Sequence, residues 1–123
     1  MVPHFSIVVD PALDLVTMEM SGFFRPADVQ AFEAARNEAH RQLKCGKNRH
    51  LTLVDMRQML IQSQDAVVEF QRVLNNPASQ SRKIAIVVSQ TLARMQIERA
   101  AERRDVQFFT DGTAEARRWL LSD

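Results

Sequence analysis

The chain has 123 residues, a length that suits one domain whose single core buries roughly two-thirds of the surface the unfolded chain exposes. Apolar residues at 46% and charged residues at 25% exclude an intrinsically disordered chain and a disulfide scaffold. Sixteen Lys and Arg against fifteen Asp and Glu leave a net charge of +1, so no global field draws the protein to nucleic acid or to an anionic membrane.

Phe5, Ile7 and Val9 alternate with His4, Ser6 and Val8. After the turn signal Asp10-Pro11-Ala12, the segment from Leu13 to Met20 alternates again, and Gly22 closes an opening β-hairpin. Pro26 starts a helix whose apolar stripe reads Val29, Phe32, Ala35, Ala39 and Leu43, running to Cys45-Gly46. A short strand, His50 to Asp55, precedes a second helix with Val67, Phe70, Val73 and Leu74, which Asn75-Asn76-Pro77 stops. Lys83 to Val88 is apolar on both faces, the pattern of an interior strand in a sheet covered on each side. Ser89 is placed to cap a third helix through about Arg103, Val106 to Phe109 forms a last strand, and Thr113 to Leu121 a last helix. The order ββαβαβαβα implies an α/β domain over residues 1–123, with a mixed, mostly parallel sheet flanked by helices.

Cys45 is the only cysteine, which excludes an internal disulfide and fits a reducing compartment, so a cytoplasmic location is expected. Met1 to Phe5 carries no basic lead into a long apolar run, and the longest apolar run, Ile84 to Val88, is too short to span a bilayer, so membrane insertion is not expected. Gly22, Gly46 and Gly112 stand isolated, so neither a Walker loop nor a dinucleotide fingerprint can be built, and no cofactor is expected. There is no G-x-S-x-G elbow and no base beside the thiol, so no catalytic residue is assigned and the chain reads as a non-enzyme. His40, Cys45 and His50 are metal-ligating types, but they lack a fourth ligand and paired spacing; they read as surface residues near one loop, with no metal expected.

Charge is polarised along the chain. Before Arg36 five acids, Asp10, Asp14, Glu19, Asp28 and Glu33, face Arg25 alone, while Arg41, Lys44, Lys47, Arg49 and Arg57 form a basic group read as surrounding the loop after the first helix. No aromatics interleave these cations, so they read as a solvated face with no nucleic acid partner. On the third helix Leu92 and Met95 form one stripe with Arg99, and Ala93, Ile97, Ala100 and Ala101 the next. Most of this broad arc is expected to pack on the sheet, with Met59 and Met95 available to line a cleft or meet a second copy in a symmetric dimer. Trp119 shares a face with Ala116 and Leu120 and reads as packing.

Three passages resemble the STAS superfamily, the domains of sulfate transporters and anti-sigma-factor antagonists, and more closely its bacterial SpoIIAA-like branch. They are Met18-Glu19-Met20-Ser21-Gly22-Phe23, Leu53-Val54-Asp55-Met56-Arg57, and Phe108-Phe109-Thr110-Asp111 with Glu115-Ala116 and Trp119-Leu120. The resemblance spans nearly the whole chain through its order of elements. It implies a SpoIIAA-like fold and a regulatory module that acts by binding partners. The family's antagonists switch through a phosphoserine in Asp-Ser-Ser-Gly at the start of the helix after the third strand; here Ser63-Gln64-Asp65-Ala66 stands there, and the switch motif is missing. Asp55, Arg57, Ser63 and Asp65 are therefore the candidate partner-binding residues, at the edge where the third strand meets the second helix. The alternative is a carrier or sensor of a small apolar ligand or lipid, since a related branch shares features with CRAL-TRIO lipid-binding domains.

Overall fold

The computed structural model describes residues 2–110 and 112–122. In chain order the elements are β1 (His4–Asp10), β2 (Leu15–Gly22), α1 (Pro26–His40), β3 (Leu51–Met59), α2 (Gln64–Leu74), β4 (Lys83–Val87), α3 (Leu92–Ala100), β5 (Val106–Phe109) and α4 (Thr113–Leu121). The strands form one sheet in the order β1-β2-β3-β4-β5. β1 and β2 are the antiparallel hairpin, and β3, β4 and β5 join β2 in parallel. Alternation of successive side chains along each strand gives the sheet two apolar faces.

On one face Val16, Met18 and Met20 of β2, Val54 of β3, and Ile84 and Ile86 of β4 meet Val29 and Phe32 of α1 and Ala66 and Val73 of α2. Four phenylalanines tie the helices to the hairpin edge by edge-to-face contacts. Ring centroids lie 5.5 Å apart for Phe5 and Phe32, 6.4 Å for Phe32 and Phe70, and 5.4 Å for Phe70 and Phe24. On the opposite face Leu15, Leu51, Leu53, Ala85 and Val87 meet Ala116 and Leu120 of α4. α4 packs chiefly over β3, β4 and β5, and Val8 of β1, 65% exposed, and Glu19 of β2 face outward.

Several boundaries differ from the sequence reading. α1 stops at His40 and does not reach Cys45-Gly46. The Asp14 carboxylate accepts the backbone N–H groups of Lys44 (2.9 Å) and Cys45 (3.1 Å), a pairing available only to chain that has left the helix. Within α1 it is Arg36, not Ala35, that shares the buried face with Val29, Phe32 and Ala39. β3 runs on to Met59, because a bulge opposite Glu19 and Ser21 adds a residue and lets Gln58 and Met59 pair with Ser21 and Gly22. Arg57 therefore stands at the far end of β3 from the loop after α1, away from Arg41, Lys44, Lys47 and Arg49. Thr91, not Ser89, is the N-cap of α3, which ends at Ala100; the Ser89 hydroxyl instead donates to the Arg57 carbonyl at 3.1 Å.

α3 is also more exposed than expected. Ala93 and Ala101 are buried, while Leu92 is 70% and Met95 61% exposed. Trp119 is only half-buried, packed against Phe109 with the Lys83 ammonium 4.3 Å from its ring centroid. Asp111, the last residue of the third resemblance passage's strand end, lies outside the described residues.

Candidate functional site

The four residues singled out from sequence do not form one site. Asp55 lies in register with Val87 and so points to the α4 face, whereas α2, which carries Asp65, covers the other. Asp55 and Arg57 form a bidentate pair, Nε to Oδ1 at 3.0 Å and Nη2 to Oδ2 at 2.7 Å, and the Arg57 backbone N–H adds a third bond at 3.1 Å. The Arg57 guanidinium holds the Asp55 carboxyl below its usual range. This pair, with His4, Glu19 and Ser89, lines a shallow depression beside the end of β3. Ser63 is the N-cap of α2, its hydroxyl accepting the Ala66 N–H at 3.2 Å. Asp65 follows, exposed, in the first turn.

A second feature lies on the other face of the sheet, and of its wall the sequence had singled out only Met59 as available to line a cleft. Between the sheet and the layer of α1, α2 and α3 lies a cavity of about 130 Å³, bordered by Met18, Met20, Val54, Met56, Ile84 and Ile86 from the sheet. Phe32 of α1, Val67, Phe70 and Val73 of α2, and Ile97 and Ala100 of α3 complete its apolar wall. Methionine suits such a wall because its unbranched, polarisable side chain adapts to whatever fills the space. The β3 bulge helps to build it, since Met56 and Met59 both border the cavity across the irregular turn of register.

At the strand C-terminal end the cavity is closed by Gln62, only 8% exposed. Its Oε1 accepts the Phe24 N–H at 2.7 Å, and its Nε2 donates to the carbonyls of Gly22 (2.9 Å) and Leu60 (2.6 Å). Its backbone exchanges two bonds with the Gln96 side chain of α3, at 2.7 and 2.8 Å. Gly22 is required at this junction: its φ is +88°, and a Cβ there would come within 2.5 Å of the Val2 carbonyl oxygen.

The other end, at the start of β3 and β4, is polar. Arg36 is only 6% exposed; its Nη1 donates to the Val73 carbonyl at 3.3 Å and its Nη2 to Asn37 at 3.2 Å, and its Nε has no partner. Burial pulls its pKa down, the more distant Glu33 opposing. Arg104 donates to the carbonyls of Leu74 (2.7 Å) and Ser81 (3.3 Å). Neither arginine has a carboxylate within salt-bridge distance among the described residues. The hydroxyls of Thr52 and Ser81 lie 2.6 Å apart, and Ser81 reaches His50 Nε2 at 3.1 Å.

His50 is buried, not a surface residue as expected, and its ring centroid lies 4.4 Å from that of His40, the two planes tilted by 52°. Burial lowers both imidazoles, His40 to about 4 with His50 and Arg36 contributing, so both are neutral near pH 7. Cys45 does not join them in a metal-binding group among the described residues. The sequence signal for this site was Arg36 itself, a charged residue at the helical spacing of a buried stripe.

No family model matches the chain, and no curated protein is similar to it in sequence. Among solved structures it superposes on an uncharacterized protein of the DUF3478 family with a SpoIIAA-like fold from Shewanella loihica. The TM-score is 0.74 over 98% of this chain and 96% of that chain, at 14% identity. The fold is SpoIIAA-like. At that identity the SpoIIAA-like neighbour speaks for the architecture alone, and the candidate site rests on this chain's own residues. No helix among the described residues is long and apolar enough to cross a membrane.

Proposed function

We propose that this SpoIIAA-like domain is a non-catalytic binding module whose ligand is a small, largely apolar molecule held in the cavity between the sheet and α1 to α3. The observation that supports this most is the wall of Met18, Met20, Met56 and Met59 around about 130 Å³ of space. Close-packed interiors leave few such voids, and filling one with aliphatic chain gains about 0.8 kcal/mol per buried methylene. Calorimetric titration with octanol tests the reading. Saturable binding with a negative heat-capacity change is expected, abolished when Ala100→Leu grows into the space. Absence of binding to the parent, or equal binding to the variant, contradicts it.

A second reading, recognition of a protein partner, draws on a different observation. Leu60 and Ile61, in the loop pinned to α3 by Gln62 and Gln96, are 42% and 53% exposed, and Leu92 and Met95 of α3 are more so. Exposed apolar residues gathered at one edge favour docking. In this reading Asp55 and Arg57 border a separate face. If it holds, Leu92→Glu weakens self-association or partner capture and leaves octanol binding unchanged.

A further inference from the structure

We infer that the ligand of this cavity carries a carboxylate, whose place is at Arg36, so that the site is built for a short aliphatic acid lying with its chain along the methionines. The inference rests on the cavity reading above and adds the chemistry of the head group. Arg36 is 94% buried by its 6% exposure, it borders the cavity, and its Nε is an unused donor. A buried cation is costly unless it meets a counter-charge, and among the described residues no carboxylate lies within salt-bridge distance of Arg36. Glu33, the nearest acid on its own helix, is engaged instead by Arg72, at 2.9 and 3.2 Å.

The Val73 and Leu74 carbonyls satisfy part of Arg36 and Arg104, as arginines near a helix C-terminus commonly arrange. That role explains Nη1 of Arg36 and leaves Nε free. The same cavity is lined by further polar groups: the Thr52 and Ser81 hydroxyls, which bond each other, and His40, whose Nε2 is also buried without a partner. Guanidinium pairs with carboxylate through a planar fork that no alcohol or amine reproduces. The opposite end of the cavity offers thioethers and the already saturated Gln62, so it suits the methyl end of a chain.

The test compares octanoate, octanol and octylamine by calorimetry at neutral pH on the parent and on Arg36→Met. Octanoate is expected to bind the parent at least about tenfold more tightly than octanol, and octylamine not measurably. Arg36→Met, which removes an uncompensated charge and keeps the bulk, is expected to remove that preference while octanol still binds. A measurement on the parent alone gives the same answer without the variant: the carboxyl of bound octanoate titrates below its value in free solution. Equal binding of octanoate and octanol overturns the carboxylate and leaves the cavity reading standing. Binding of none of the three overturns both. A preference that survives Arg36→Met but disappears in Arg104→Met overturns the assignment to Arg36.

Discussion

Replacing Gln62 with leucine keeps the side chain's bulk and deletes three hydrogen bonds that join β2, α1's entry and the β3–α2 loop. Phe24 is fully buried, so its N–H then has no acceptor, at a cost of about 1–3 kcal/mol. The Gly22 carbonyl still accepts the Leu60 N–H at 3.2 Å, and the Leu60 carbonyl lies on an exposed residue, so each of these losses is nearer the ordinary value of about 0.5–1.5 kcal/mol. The sum, about 2–6 kcal/mol, is a large share of the roughly 5–15 kcal/mol that holds a domain of this kind. Urea unfolding followed by circular dichroism measures it, with the denaturant slope unchanged if the native state keeps its compactness. Gln62→Glu sharpens the result. It retains an acceptor for Phe24 but sets a carboxylate against the Gly22 and Leu60 carbonyls, and it is expected to recover stability as acid protonates it. A Gln62→Leu midpoint equivalent to less than about 0.5 kcal/mol of lost stability would show that the junction is held by packing alone.

Ser63→Ala is expected to lose about 0.5–2 kcal/mol as an N-cap, and Ser63→Asp to be nearly neutral in the same urea assay; equal losses would refute the capping role. Unfolding free energy should rise with pH between about 4 and 6.5. The folded state holds the His40 pKa down at about 4 against 6.5 for an unperturbed imidazole, so within that window the unfolded chain binds more protons. His40→Gln should flatten part of the slope, and an unchanged slope would contradict the assignment. Trp119→Ala should cost about 1–3 kcal/mol by thermal unfolding, below the 3–5 of a fully buried aromatic because the ring is half-exposed, the Phe109 and Lys83 contacts being what it loses. A larger loss would mean the ring is more deeply packed than its exposure indicates.

The architecture was legible because period-two and period-three-to-four patterns, with Pro and Gly at their ends, are local signals. β5 and α4 match their expected bounds. What the pattern could not carry was long-range. Asp14 draws the N–H groups of residues thirty positions further on and so ends α1 early. The β3 bulge depends on pairing with β2, so neither the strand's extension to Met59 nor the place of Arg57 could be read from β3 alone. The cavity was hidden for the same reason. Met59 was singled out as available to line a cleft but placed beside the third helix, Met18, Met20 and Met56 were not, and only the cover formed by α2 and α3 leaves space beside them. Arg36 was readable in principle, since it sits four residues after Phe32 on the buried face, yet Ala35 looked the better apolar choice.

Methionine methyl resonances test the cavity reading most directly, because Met18, Met20, Met56 and Met59 border the space while Met95 lies 61% exposed on the outside of α3. Titration of methyl-labelled protein with octanoate should move those four signals together along one saturating curve and leave Met95 in place. Movement of Met95 with the four held still would place the ligand on the outer apolar surface and contradict the account.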